Sequence, residues 1–403
     1  MRSLSEDARG LLESFDSGAL VRPDACELNM VDLALAVAAI AGAADLPESP
    51  GLRQLAAEIG ESEHLVFVAV DGLGMNFVDQ LPPDSFLRSN MVREINSPFP
   101  STTSVTFTTI ATGLWPAQHG VTSWFTHVSE IKETATILPY VRTRDGVSLS
   151  DLGVTPQQVF PAPALAPRFA SNTLFIHPEG IVGSVYTRYQ SGNAPTAAYE
   201  RHDLRAAAEI AVDRVRRASE PTFTFLYTDI LDLAAHAYGC SSHEVWNALT
   251  QIERAFGDLA SELSGAARIV VTSDHGHLDA PEDGRYFIEP GGPLCEMTLC
   301  RPAGDARVLY LHVKPGREGE FRDRFRDDYG EGFFLLSTDE VEELRLLGPA
   351  DLAPMTRKRI GDFTAIARKN QVIDYRPAAE GYPMASVHSG LSREEMRIPL
   401  ILA

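Results

Sequence analysis

Three short apolar runs, each leading into a carboxylate, constrain this chain more than any other feature. LVFVAV at 65–70 runs into Asp71-Gly72, TFTFLYTDI at 222–230 into Asp232, and ARIVVTS at 267–273 into Asp274-His275-Gly276. A fourth run, RIPLILA, closes the sequence. Between them, DLRAAAEIAVDRVRRA and SSHEVWNALTQIERAFGDLASEL repeat their apolar residues at helical spacing. Strands alternating with helices predict an α/β fold with a largely parallel sheet flanked by helices. Open sheets of this kind gather ligands at the carboxyl ends of their strands. The three Asp-bearing runs are therefore expected to present their acids along one edge.

The 403 residues allow one large domain or two ordinary ones. VLYLHV at 308–313, followed by EGEFRDRFRDDYG, reads as a strand and helix of a separate unit. The predicted division is a core at 1–279 and 386–403, with an α+β cap inserted at 280–385. A net charge of −20 argues against a nucleic-acid polymer or an acidic membrane as partner. An anionic small molecule would then need local positive charge, from a metal ion or a helix N-terminus. The apolar run LALAVAAIAGAA at 33–44 is too short to span a bilayer and reads as a buried helix. The opening MRSLSEDARGLLESF has early acids and does not read as a secretory signal, so the expected location is cytoplasmic. Cys26, Cys240, Cys295 and Cys300 form no closely spaced pair of zinc-ligand type and read as incidental thiols. Nothing in the sequence speaks to the oligomeric state.

Asp71, Asp232 and Asp274, with His236, His275 and His388, make three carboxylates and three imidazoles near strand ends. The spacing of Asp232 and His236 puts both on one face of a helical turn. Each fragment alone has an ordinary reading as a cap or turn. Together they suit two divalent ions, each taking about four N or O ligands with one position open. Two neighbouring ions form a clamp for in-line displacement at phosphorus or sulfur. A nucleophile is then needed. The stretch NSPFPSTTSVTFTTIATGLWPAQHG at 96–120 puts five threonines and two serines between 101 and 109. Either Ser101, Thr102 and Thr103 cap a helix that begins there, or one of them is a metal-activated nucleophile at a phosphate-binding helix N-terminus.

The segment Phe99-Pro100-Ser101-Thr102-Thr103, with Thr112-Gly113-Leu114-Trp115-Pro116 and His119-Gly120 behind it, resembles the nucleophile segment of the nucleotide pyrophosphatase/phosphodiesterases of the alkaline phosphatase superfamily. Val70-Asp71-Gly72, Asp232-Leu-Ala-Ala-His236, Ser273-Asp274-His275-Gly276 and His388 match the other motifs in the same chain order. The resemblance implies an alkaline-phosphatase-like core, with Thr103 as nucleophile and a covalent phospho-threonine intermediate. It implies one zinc on Asp71, Thr103, Asp274 and His275, and a second on Asp232, His236 and His388. Asp229 is the rival to Asp232 but lacks a histidine at the matching spacing. Three departures stand out. Trp124 falls near the family's phosphate-contacting Asn, with Thr122 or Ser123 as substitutes. Ala235 replaces a Gly, and His388-Ser389-Gly390 replaces His-Gly.

No Arg follows Thr103 in its segment, which favours a phosphodiester or nucleotide pyrophosphate substrate over a monoester. A phosphomonoesterase or phosphonate hydrolase on the same metals is the first alternative, and a non-catalytic binding member of the fold the second. Trp115, Trp124, Phe125 and Tyr238 read as an apolar slot for a leaving group or as ordinary packing. His119 reads as a structural turn residue, and His277 as a rim contact or a solvated side chain.

Overall fold

The computed structural model describes residues 4–192 and 194–403. Strands β1 (His64–Val70), β2 (Met91–Asn96), β3 (Asn172–Pro178), β4 (Thr196–Tyr199), β5 (Thr222–Thr228), β6 (Arg268–Thr272) and β7 (Arg397–Leu402) make one sheet in the order β2-β7-β6-β1-β5-β3-β4. The pairs from β6 through β4 are parallel, and β7 runs antiparallel to both of its neighbours. β1 and β5 are buried on both faces, which is why their sequences run apolar or threonine-rich instead of alternating with charges. Val66, Val68 and Val70 pack under the helices Leu204–Arg217 and His243–Glu262. Leu65, Phe67 and Ala69 face the opposite layer, with the helices Met30–Ile40 and Pro50–Ile59. The sheet thus sits between two helical layers, as predicted. Among the described residues no helix is long and apolar enough to cross a membrane.

A second seven-stranded sheet is antiparallel, in the order Phe333–Ser337, Phe363–Ala367, Val308–Leu311, Ala303–Asp305, Phe125–Val128, Glu133–Thr136 and Val141–Arg142. Its last three strands come from 125–142, so the boundary expected at 280 does not enclose this sheet. The N-terminal helix Glu6–Asp16 also belongs here, packing Ala8 and Leu11 against Phe334, Leu336 and Ile366. On the other face, Phe321 and Phe325 of the Glu318–Tyr329 helix cover Phe333, Leu335 and Phe363. The 125–142 strands and the N-terminal helix are not legible as parts of this sheet because each meets partners more than a hundred residues away along the chain. Across the middle of the sheet, Gly304 opposite Phe125 is the paired position.

Candidate metal centre

β6, β1 and β5 are adjacent, so the acids at their carboxyl ends converge. Asp71 follows β1 directly, and its N–H donates to the Thr228 carbonyl at 2.9 Å. Gly72 holds a left-handed φ of +76°, where a Cβ would come within 2.7 Å of the His277 ring, so the turn after Asp71 demands glycine. Asp274 follows Ser273 at the end of β6. Asp232 and His236 project from the first two turns of the Ile230–Tyr238 helix.

Each carboxylate of the first group has one oxygen pinned and the other left open. The Tyr227 hydroxyl donates to Asp71 Oδ2 at 2.6 Å. The N–H groups of Gly72 and His275 donate to Asp274 Oδ1 at 3.1 and 3.0 Å. Asp71 Oδ1 and Asp274 Oδ2 remain buried without a hydrogen-bond partner. Both face His275 Nε2, at 3.4 and 3.3 Å. A tetrahedral zinc with bonds of about 2.0–2.1 Å sets its N and O ligands about 3.3 Å apart. Thr103 Oγ1 stands 3.2 Å from the same Nε2. The two orphaned oxygens, the imidazole and the hydroxyl therefore fit a divalent ion. In the second group, Asp232 Oδ1 lies 3.3 Å from His236 Nε2 and 3.9 Å from His388 Nε2.

The histidines are aimed by the backbone. His236 Nδ1 faces the Ser386 carbonyl at 2.8 Å, His388 Nδ1 the Ser101 carbonyl at 3.0 Å, and His275 Nδ1 the Gly276 carbonyl at 3.2 Å. A proton on each Nδ1 leaves Nε2 available as the donor atom to a metal ion, the usual arrangement behind a metal-binding imidazole. The rings of His275 and His388 stack 3.6 Å apart and join the two groups.

Charge makes the same case. Burial, then repulsion by Asp274 and Asp232, holds the Asp71 carboxyl well above its ordinary range. Burial pushes Asp274 up to about 7 and His275 down to about 3. Burial also opposes the charge on His236, but the Asp232 carboxylate wins and raises it to about 9. Three carboxylates this close want a cation.

The threonine-rich helix, Thr103–Thr112, is buried along almost its whole length, so its hydroxyls must find partners inside. Thr108 and Thr112 donate to carbonyls four residues back, and Thr106, with Ser97, donates to the Asp274 carbonyl. Capping works differently from expectation. Thr102 is the N-cap residue, but its hydroxyl donates to Asp305 Oδ2 at 3.0 Å and no side chain caps the first turn. Ser101 Oγ instead donates to the Gly390 carbonyl at 2.8 Å. The helix N-terminus is left for a ligand, with Thr103 as its first residue.

His388 is held from behind. Arg307 and Glu395, both fully buried, pair at 2.6 Å, and Glu395 accepts from the N–H groups of Gly390 and Ser392. Ser389 sits at a φ of +98°, a conformation that favours glycine, and its Oγ accepts from the Arg307 N–H at 3.2 Å.

Other readings change in the structure. His277 is fully buried, neither a rim contact nor solvated: its Nε2 lies 2.9 Å from Asp232 Oδ1 and its Nδ1 3.1 Å from Ser386 Oγ. Its place two residues after His275 was the available signal. Asp305, pushed up to about 6 by burial, is another missed neighbour, and nothing in the sequence pointed to it. Asp229 pairs with Arg201 at 3.2 Å and stands outside both ligand groups. His119 is a buried turn residue, its Nδ1 accepting from the Val121 N–H. Of the four aromatics, only Trp124 lines the cavity beside Thr103. Trp115 packs with Val31 and Leu35, Phe125 lies under Arg301, and Tyr238 is 60% exposed. Thr122 Oγ1 and Ser123 Oγ are buried without partners but do not line that cavity.

Comparison with known proteins agrees with this geometry. The murine ectonucleotide pyrophosphatase / phosphodiesterase 5 structure superposes with a TM-score of 0.62 at 16% identity, covering 83% of this chain and 87% of that one. The human protein of the same name gives 0.64 at 14% identity, covering 84% and 87%. Phosphonoacetate hydrolase from Sinorhizobium meliloti 1021, in complex with phosphonoformate, gives 0.60 at 17% identity, covering 84% and 89%. No curated protein sequence matches the chain. The family model for type I phosphodiesterase / nucleotide pyrophosphatase matches residues 65–390, from the first core strand through the loop that carries His388. This chain is therefore an enzyme of the type I phosphodiesterase / nucleotide pyrophosphatase family, a hydrolase with the alkaline-phosphatase fold.

Proposed function

We propose that this enzyme cleaves phosphodiester or nucleotide pyrophosphate bonds of small molecules through a covalent phospho-threonine on Thr103. The observation that carries the reading is the placement of Thr103 Oγ1. It stands at an uncapped helix N-terminus, 3.2 Å from His275 Nε2, and faces a cavity of about 480 Å³. Asp71, Thr103, Asp274 and His275 would hold one divalent ion, and Asp232, His236 and His388 the other, zinc being the ion this Asp/His set suits. When bound, the ions lower the pKa of the hydroxyl, neutralise the phosphoryl oxygens and activate the water of the second step.

The chain supplies the rest. Thr103 Oγ1 attacks phosphorus as the bond to the leaving oxygen breaks. The free N–H groups of the helix turn toward the phosphoryl oxygens. Water then attacks phosphorus from the opposite side and releases Thr103. The cavity sets the leaving group. Trp124, Leu138, Ile181 and Leu233 supply apolar wall, while both ring nitrogens of His177 and Gln190 Nε2 are buried there without partners. Burial brings His177 down to about 4, so it offers one donor and one acceptor, as the polar edge of a nucleobase requires.

A monoester or phosphonate reading rests on Arg201, a cation lining the same cavity and paired to Asp229 at 3.2 Å. The test is turnover of bis-p-nitrophenyl phosphate, p-nitrophenyl thymidine monophosphate and p-nitrophenyl phosphate by zinc-loaded protein. Thr103→Ala and a chelator are the controls. Diesters cleaved ahead of the monoester, with both controls inactive and a phosphorylated Thr103 peptide after acid quench, is the expected result. Full activity in Thr103→Ala would sink the phospho-threonine, and monoester preference would move the assignment to the second reading.

A further inference from the structure

Away from the catalytic centre, His127, Cys300 and His312 come together from three separate stretches of chain. One ring nitrogen from each histidine and the Cys300 sulfur all lie within 4.8 Å of one another. Cys300 Sγ is 3.5 Å from His127 Nδ1. Tetrahedral zinc, with a Zn–S bond of about 2.3 Å and a Zn–N bond of about 2.0–2.1 Å, sets S and N about 3.6 Å apart. His312 is only 8% exposed and its Nε2 faces the Lys358 carbonyl at 2.9 Å. A proton on Nε2 leaves Nδ1 as the bare lone pair, and Nδ1 is buried with no hydrogen-bond partner. The two imidazole rings lie 4.2 Å apart, tilted by 36°. Two neutral imidazoles and a thiol, with one buried lone pair unpaired, form a donor set of the kind that holds a transition-metal ion.

We infer that His127, Cys300 and His312 bind a third transition-metal ion of the zinc class, independent of the catalytic pair. Nitrogen and sulfur donors select such borderline-soft ions over magnesium or calcium. His127 and Cys300 are only half-buried, so the fourth position is open to water. The thiol gives up its proton to solvent on binding, and the thiolate charge offsets that of the nearby Arg359; burial, then His312 and then Arg359, lower His127 to about 4.

The location gives the ion a purpose. His127 lies on the strand Phe125–Val128, whereas Cys300 and His312 flank the strands Ala303–Asp305 and Val308–Leu311. These two blocks of the second sheet pair at Gly304 opposite Phe125. The ion would staple them together, and with them Trp124, three residues before His127, at the wall of the catalytic cavity.

The test is cobalt titration of the metal-free full-length protein, followed in the near ultraviolet for thiolate-to-cobalt charge transfer. The catalytic ligands contain no sulfur, so this signal reports the Cys300 site whatever becomes of the catalytic assignment. Wild type is expected to show the band, and a variant with Cys26, Cys240 and Cys295 all changed to Ser is expected to keep it. Cys300→Ser is expected to lose it, together with one bound zinc per chain. His312→Gln, which leaves the thiol in place, is expected to weaken cobalt binding at the band by at least about tenfold. Cobalt-saturated wild type without the band, or a band that survives in Cys300→Ser, overturns the proposal.

Discussion

The two halves of the candidate metal centre use the same residue types in different surroundings. The side chains of Asp71, Asp274 and His275 are 3%, 0% and 0% exposed, while those of Asp232 and His236 are 13% and 21% exposed. In the sealed half, burial holds both carboxyls above their ordinary range, so without a cation they keep their protons. In the open half, the attraction of His236 overcomes the burial of Asp232 and holds its carboxyl well below the usual range, while His236 rises to about 9. The open half is already an ion pair, whereas the sealed half stays uncharged until a cation displaces its protons. On the proposed mechanism, solvent access would separate the roles as well: Thr103 would act in the sealed half, and the half open to water would suit the hydrolytic step.

The largest effect that would break this comparison comes from removing one acid in each half. Asp274→Asn is expected to lower kcat by at least about a thousandfold, because it would strip a proposed ligand from the ion beside Thr103. Its metal-free form should nevertheless be more stable than wild type at pH 8, by on the order of 2 kcal/mol. The sign follows from the raised pKa: ionised Asp274 costs stability, and the cost grows as pH rises from about 4 to about 7. Asp232→Asn should lose activity too but destabilise the metal-free fold, since it leaves His236 without its counter-charge. Chemical denaturation of both apo variants decides it, and equal shifts would end the distinction.

A smaller effect is expected behind the ligands. His277→Ala removes the partner of Asp232 and should weaken zinc binding at the open half by about 10–100-fold, with the sealed half unchanged. Competitive titration against a chelating dye reads the two affinities separately. A loss shared by both halves would mean that His277 supports the whole centre.

Proton displacement sharpens the contrast further. In the metal-free protein His236 carries a proton up to about pH 9 and Asp274 up to about pH 7. Zinc must expel these protons and that of Asp71 as well, so the affinity of each half falls as pH drops by about tenfold per pH unit for each proton displaced. The open half should begin to weaken near pH 9 with the slope of one proton, and the sealed half should fall more steeply because both of its acids must ionise. Equal slopes would contradict the two environments.

The smallest effect concerns the loop that carries His388. Ser389 holds a φ of +98°, so Ser389→Gly should be more stable than Ser389→Ala by about 1 kcal/mol, both variants having lost the bond from Arg307. Denaturation midpoints measure the difference, and equal midpoints would show that the loop bears no strain there.

Much of this molecule was legible before folding. An unbroken apolar run as short as LVFVAV favours a buried strand, and helices between such runs favour parallel pairing. Asp71, Asp274 and His275 follow their strands closely, so naming the strand ends named most of the proposed ligands. Local periodicity also placed Asp232 and His236 one helical turn apart. The aromatics were not legible in the same way. Trp115, Phe125 and Tyr238 carry the composition of a binding slot, but which face each one turns to depends on strands that meet only in space.

Sequence alone therefore determined the α/β class, the edge where the acids gather and the threonine-rich helix start, because each is written within a few neighbouring residues. Tertiary structure decided that Thr102 serves Asp305 instead of the helix cap, that His277 is sealed behind Asp232, and that the N-terminal helix and the 125–142 strands join the second sheet. It also decided that Cys300, which sequence spacing leaves without a partner, meets His127 and His312. The physical reason is distance along the chain. Contacts within a turn or a strand follow from backbone geometry, whereas contacts across hundreds of residues exist only once the whole core has packed.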